Sequence, residues 1–304
     1  MAVASGDESA RTVVVALLAN LGIVVAKLTA ALITGTTAMF AETVHAAADT
    51  GNSLLLLVAQ RQSDRPAAPS GLSRGREAYF WALLAAIWVF VVGAVLAVYE
   101  GVRALLDPSP AESFVVAYVV LAVAFFLDLV SFLRARRQLS SEAHTRARGL
   151  LEQVRVTSDP TTRAVFTEDA AALTGNVIAA TGIGLQQATG SATPDALASI
   201  GIGIVLGAVA VFLVERNRDF LVGQEVGPAG KERISKFIAG WPGVVAVRNL
   251  IAIYTGPDEI VVIARVDIDD SLDGAAVEHL VSDIERELRA REPSISRVDV
   301  VPTG

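Results

Sequence analysis

The sequence predicts a membrane protein in which an all-α bundle of six transmembrane helices is followed by a C-terminal cytoplasmic α+β domain. Of the 304 residues, 53% are hydrophobic. Windows of about 20 apolar residues, the length that crosses a bilayer, recur six times before residue 220. After that point, short amphipathic and alternating segments are typical of a soluble domain. We therefore divide the chain into a transmembrane domain, 1–219, and a soluble domain, 220–304.

The six apolar windows lie at roughly 12–34, 37–60, 79–100, 113–133, 164–187 and 194–214. The fifth is the least apolar, because it contains Glu168, Asp169, Asn176, Gln186 and Gln187. We keep it as a span because it preserves an even number of crossings, and because polar side chains can line the interior of a helix bundle.

Basic residues between the windows predict the orientation in the membrane. The connection after the second window carries Arg61, Arg65, Arg74 and Arg76, and seven arginines lie between Arg134 and Arg163. The connections after the first, third and fifth windows hold only Arg103. Because Lys and Arg concentrate on the cytoplasmic side, both termini are predicted to be cytoplasmic. The absence of cysteine and of a targeting segment, together with the Ala- and Arg-rich composition, suits a protein of a bacterial inner membrane.

The last 85 or so residues predict a small sandwich. Helices are expected at 231–239 and 273–291, and strands at 244–254, 259–268 and 295–301. The resulting order α-β-β-α-β suits a ferredoxin-like domain.

Two polar clusters interrupt the apolar windows. Glu42, His45, Asp49 and Asn52 lie in the second, and Glu168 and Asp169 lie in the fifth. Each ionisable group in hydrocarbon costs about 2.5–3.5 kcal/mol or more, and such groups usually mark an ion path. His45 and Asp49 stand four residues apart, hence on one helix face, and an imidazole above a carboxylate forms half of a divalent-metal site. The other ligands must come from a second helix.

These clusters predict a metal site formed by His45, Asp49 and Asp169, with Glu168 or Asn52 completing the shell. Glu42 and Asn52 suit supporting roles as well as direct ligation. The alternative is a hydrogen-bonded pair, His45 with Asp49, that only fixes helix packing. Lys27 is expected to be a buried counter-charge or a side chain that snorkels to the interface, and Asp128 could line a pore.

Several strings along nearly the whole chain resemble the cation diffusion facilitator family of metal-ion/proton antiporters. Span two contains the His-x-x-x-Asp pair of its metal-binding helix, and span five places Asp169 at the family's aspartate. The strings Gly75–Trp81, Arg216–Gly223, Trp241–Val244 and Tyr254–Glu259 also resemble family segments. Val165 stands where many members have His or Asp, and the Glu168–Asp169 pair resembles the branch that contains the mitochondrial zinc transporter ZnT-nine.

The resemblance implies a transporter rather than an enzyme: a homodimer in the lipid bilayer that exports a divalent cation, foremost Zn²⁺, in exchange for protons, with no cofactor beyond the cargo. Mn²⁺ and Fe²⁺ also suit oxygen-rich ligand sets. Protons and metal compete for the same ligands, and His45, with a reference pKa of about 6.5, is the natural coupling group. A formal charge of −7 argues against nucleic-acid binding. Two alternatives remain open, a membrane metal sensor or scaffold without transport and a monovalent-cation exchanger.

Overall fold

The structure is a computed structural model that describes residues 20–63, 75–108, 114–145 and 149–303. These residues fall into two compact units. The first comprises the described parts of Met1–Ala59 and Trp81–Asn217, and the second those of Gln60–Phe80 and Arg218–Gly304. The C-terminal part of the second unit thus begins close to the sequence boundary at residue 220, and the unit also takes in the described residues 60–63 and 75–80.

A helix occupies each of the six apolar windows. The helices are α1 (Asn20–Thr34), α2 (Thr37–Ser63), α3 (Arg76–Leu106), α4 (Phe114–Thr145), α6 (Pro160–Thr189) and α7 (Thr193–Val222). The short helix α5 (Leu150–Val156), which the sequence did not predict, precedes α6. Within α3, residues Val89–Val95 are π-helical. The first window begins at residue 12, outside the described residues.

Three of these helices are both long and apolar enough to cross a membrane, namely α3, α4 and α7. The polar clusters make α2 and α6 less apolar, although their 27 and 30 residues exceed the length that a bilayer requires. The described part of α1 is apolar but shorter. The crossing of the membrane by α1, α2 and α6 therefore stays a prediction.

Small residues let the helices of the first unit pack closely. Its largest buried cluster is rich in alanine, with Ala30, Ala41, Ala94 and Ala179 among its members. At Gly203 an added Cβ would lie 2.9 Å from the carbonyl oxygen of Ala94, so the backbones of α7 and α3 are almost in contact. Such contacts are typical of helices in lipid, where van der Waals packing replaces the hydrophobic drive between helices.

The second unit contains the predicted α-β-β-α-β order. Helix α8 (Pro228–Ala239) precedes β1 (Val244–Gly256) and β2 (Glu259–Ile268), and α9 (Gly274–Arg291) leads to β3 (Ile295–Thr303). β1 pairs antiparallel with β2, and β2 pairs parallel with β3. Both helices pack on this sheet through Ile234, Ile238, Ile284 and Leu288. A complete ferredoxin-like sheet has four strands, and the described residues form three, extended at β1 by an isolated bridge from Glu225 to Ile253.

Aromatic contacts explain why residues before Trp81 belong to the second unit. The Tyr79 ring stacks on Phe220 with centroids 5.1 Å apart, and Phe220 meets Tyr254 of β1 at 5.5 Å. Gly75 lies so close to Gly256 that a Cβ on Gly75 would be 2.5 Å from the Gly256 Cα.

Candidate metal centre

The N-terminus of α2, the helix that carries the first polar cluster, is held by a carboxylate from α7. The backbone N–H groups of Thr37 and Ala38 donate to Asp195, at 2.5 and 3.2 Å. A carboxylate at this position satisfies backbone donors that have no partner within the helix and complements the helix dipole. Asp195 thereby fixes the end of α2 nearest the cluster.

The N-terminus of α6, the helix that carries the second cluster, is capped locally. Asp159 accepts hydrogen bonds from the backbone N–H groups of Thr161 and Thr162, at 2.9 and 3.3 Å, and Pro160 occupies the first helical turn. One turn later, the buried guanidinium of Arg163 donates to Asn217 Oδ1 of α7 at 2.8 Å. These contacts set the position of α6 five residues before Glu168.

A cavity of about 280 Å³ lies among α1, α2, α4 and α6 in the first unit. Four carboxylates from three helices line it, those of Asp49, Asp128, Glu168 and Asp169. The other polar side chains of its wall are Asn20, Lys27, Asn52, Ser53 and Ser131. The cavity therefore gathers both polar clusters of the sequence and adds groups from α1 and α4.

His45 and Asp49 form the pair that their spacing predicts. His45 Nε2 lies 3.1 Å from Asp49 Oδ2, and the histidine side chain is only 1% exposed, against 29% for the aspartate. Asp49 lines the cavity, whereas His45 is buried behind it next to Gly175 of α6. Of the proposed ligands, His45 alone is thus absent from the cavity wall.

Asn52 connects α2 and α6, the helices that carry the two polar clusters, directly. Its side-chain amide donates to Glu168 Oε2 at 2.5 Å, and both residues are buried. On the next residue of α6, the carboxylate of Asp169 accepts a hydrogen bond from Ser131 of α4. Adjacent helical residues point about 100° apart, which is why the two acids meet different neighbours although both line one cavity.

The described residues contain no group of three or more His, Asp and Glu side chains close enough to hold a metal ion. Several buried polar atoms around the cavity nevertheless have no hydrogen-bond partner there, including Glu168 Oε1, Asp169 Oδ2 and Asp49 Oδ1. Unpaired buried acceptors are costly and call for a ligand or a proton. The acids are gathered in the cavity, but they are not arranged as a closed coordination shell.

Two polar contacts go beyond what the sequence predicts. Of the two roles expected for Lys27, the structure confirms the buried counter-charge, because its ammonium lies 2.8 Å from Glu42 Oε2. The sequence does not predict a partner for Asp128. Asn176, one of the polar residues of α6, donates to Asp128 Oδ2 at 2.9 Å. Asn176 lies one helical turn after Ala172 of the cavity wall, and this spacing is the sequence signal that places Asn176 near the cavity.

Residues 13–222 match the sequence profile of the cation efflux transmembrane domain. The chain belongs to the cation efflux family. It is therefore a membrane protein of a transporter family, as the resemblance to cation diffusion facilitators predicts. The matched residues include α2, α6 and every residue of the cavity wall.

Three relatives in this cation efflux family illustrate the similarity. The proton-coupled zinc antiporter SLC30A9, mitochondrial, of Xenopus laevis is 35% identical over 246 residues, which are 80% of this chain and 44% of that protein. Metal tolerance protein C4 of Arabidopsis thaliana is 30% identical over 237 residues, 77% of this chain and 51% of the relative. The cation-efflux pump FieF of Escherichia coli O127:H6 is 26% identical over 265 residues, 86% and 81% of the two chains. The chain spans about half the length of the first two.

Proposed function

We propose that the chain moves a divalent cation, foremost Zn²⁺, across a membrane in exchange for protons, with six spans and both termini cytoplasmic. The observation that carries this proposal is the cavity of about 280 Å³ with carboxylates from α2, α4 and α6. Ionised carboxylates within a membrane are costly in free energy, so a cation or protons must compensate their charge. The SLC30A9 relatives are named proton-coupled zinc antiporters, which supports zinc as the cargo.

Asp49, Asp169 and Glu168 are the oxygen ligands in this proposal, His45 supplies nitrogen, and Asn52 positions Glu168. Binding the cargo through His45 Nε2 requires the contact with Asp49 to break, since one ring nitrogen cannot hold both. Ligands bind metal only when deprotonated, so protons entering the cavity expel the cation and a cation displaces protons. Exposure of the cavity to each side in turn couples the two flows.

The oxygen-rich wall makes Mn²⁺ and Fe²⁺ the competing cargoes, because carboxylate-dominated sites suit harder ions than zinc. A homodimer formed through residues 220–304, in a bacterial inner membrane, is part of the same proposal. The family membership supports a transporter in preference to a scaffold that only senses metal.

The test uses the purified full chain in lipid vesicles with an imposed pH gradient. Influx of Zn²⁺, Mn²⁺ and Fe²⁺ is followed with an enclosed metal-sensitive dye, and proton movement with a pH dye. We expect saturable zinc flux that reverses with the gradient. The matched control is Asp107→Asn, which removes an exposed carboxylate outside the cavity. Absence of zinc flux in the wild type would end the proposal, and equal flux in wild type and in Asp49→Asn would remove Asp49 from the site.

A further inference from the structure

Lys27 of α1 and Glu42 of α2 form an ion pair inside the first unit. Lys27 Nζ lies 2.8 Å from Glu42 Oε2, and the two side chains are 3% and 0% exposed. Removing two charges from water costs several kcal/mol per ion, so such a pair is weak evidence for stability alone. Its position beside the cavity suggests another role.

The two members of the pair are placed differently with respect to the cavity. Lys27 lines the wall, whereas Glu42 does not. Among the described residues of that wall, the other charged side chains are all acidic: Asp49, Asp128, Glu168 and Asp169. A fixed ammonium therefore shares the cavity with the carboxylates proposed to bind the cargo.

Glu42 also packs on α6. A Cβ added to Gly175 would lie 2.4 Å from Glu42 Oε1, so a larger residue there would displace the carboxylate. That oxygen has no hydrogen-bond partner among the described residues, while Oε2 receives the ammonium. The contact with α6 and the bond to Lys27 thus hold the Glu42 carboxylate beside the ammonium, while Glu42 itself does not line the cavity.

We propose that Lys27 is a tethered counter-cation that sets the affinity and selectivity of the cavity for divalent cations, and that Glu42 is its tether. The proposal rests on the cation-export function above. While Glu42 holds the ammonium at the wall, the four carboxylates keep room for a doubly charged ion. If the tether is cut, the flexible four-carbon stem of lysine lets the ammonium reach those carboxylates and compete with the cargo.

The alternative is a purely structural pair that fastens α1 to α2. The two roles predict changes of different sign in the affinity for metal. A structural pair weakens metal binding whichever member is removed, because the helices shift. A tethered cation makes Glu42→Gln weaken binding, since the freed ammonium competes. It makes the double variant Lys27→Met/Glu42→Gln strengthen binding, since a positive charge leaves the cavity wall.

The experiment measures equilibrium Zn²⁺ binding by the purified full chain in detergent, using competition with a fluorescent chelator. We expect Glu42→Gln to raise the Kd at least about tenfold and the double variant to lower it at least about threefold, as Coulomb energies across a few ångströms in a partly buried site allow. Glu42→Asp, which retains the charge on a shorter side chain, should raise the Kd less than Glu42→Gln does. The matched control is Lys231→Met/Glu225→Gln, an exposed pair of the same types in the second unit, with its charged atoms 2.6 Å apart, which should change nothing.

Shifts of the same sign in both cavity variants, or shifts no larger than those of the control, overturn the proposal. If the double variant does not elute as folded protein, Lys27→Gln replaces it in the experiment, because it also removes the positive charge and must lower the Kd.

The experiment measures binding, so its outcome does not depend on zinc flux. If the variants show these shifts in Kd but the wild type moves no zinc in vesicles, the counter-cation proposal stands and the export proposal fails. If the wild type moves zinc but the variants do not show these shifts, only the counter-cation proposal fails.

Discussion

Trp88 of α3 donates its indole N–H to the backbone carbonyl oxygen of Ala48, 3.2 Å away in α2. The same oxygen is the helical acceptor for the backbone N–H of Asn52. The indole also covers Gly51, where any side chain would overlap it. The π-helical segment Val89–Val95 begins immediately after Trp88, and such segments are frequent at functional sites. α3 is therefore fixed on α2 at Ala48 and Gly51, the residues that immediately precede Asp49 and Asn52.

This contact predicts that Trp88 positions the cation site. Trp88→Phe removes the hydrogen bond but keeps most of the apolar contact, and should raise the KM for zinc by about threefold to tenfold with a small change in maximal rate, because a net hydrogen bond contributes about 0.5–1.5 kcal/mol. Gly51→Ala should be more severe, because its methyl group must displace the indole. Vesicle flux measures both. Trp81→Phe, in the same helix, is the control, and an equal effect there would refute the specific role of Trp88.

Glu168 is predicted to depend on Asn52. Asn52→Leu removes the amide that holds Glu168 Oε2 and leaves a second buried carboxylate oxygen unpaired. Since losing the partner of a buried charged group costs roughly 1–3 kcal/mol or more, we expect zinc affinity to fall at least about tenfold. Asn52→Gln retains an amide and should keep part of the zinc affinity that Asn52→Leu loses. Metal titration checks the series, and full affinity in Asn52→Leu would contradict the dependence.

The sequence predicted every element of the second unit to within a few residues, because turn residues and alternating burial mark strand ends in a sheet with one covered face. It also predicted a helix at each apolar window and the pairing of His45 with Asp49, since both follow from helical periodicity. It could not predict the partners of Lys27 and Asp128, because those contacts join helices whose rotation and depth are set by tertiary packing. For the same reason it could not predict that His45 is buried outside the cavity wall.

The carboxylate of Asp195 predicts a stability effect separate from transport chemistry. Asp195→Ala leaves the N–H groups of Thr37 and Ala38 without their acceptor. Loss of a capping group costs about 0.5–2 kcal/mol, so the midpoint of thermal unfolding in detergent should fall. Asp195→Asn keeps an acceptor and should lose less. The zinc Kd of the folded fraction should change little, and a large change in Kd with an unchanged midpoint would contradict the capping role.

Zinc binding is predicted to weaken as the pH falls. Because ligands bind metal only in their deprotonated form, each proton taken up by Asp49, Glu168, Asp169 or His45 competes with the cation. Calorimetry in buffers of different ionisation enthalpy should therefore show proton release on zinc binding. His45→Gln cannot release a proton from that position, and its count should fall relative to wild type. An unchanged count in this variant would remove His45 from the coupled exchange.

The six-span arrangement predicts which loops are exposed on the same side of the membrane. The chain contains no cysteine, so a maleimide can label each variant only at the cysteine that the substitution introduces. Asp107→Cys and Ser191→Cys, in the exposed connections that follow α3 and α6, should react with an impermeant maleimide added outside intact cells. Gly149→Cys and Ser271→Cys, also exposed, should react only after the cells are opened. Labelling of Asp107→Cys and Ser191→Cys from opposite sides would mean that one helix between them does not cross, and the orientation inferred from the arginine-rich connections would then be wrong for part of the bundle.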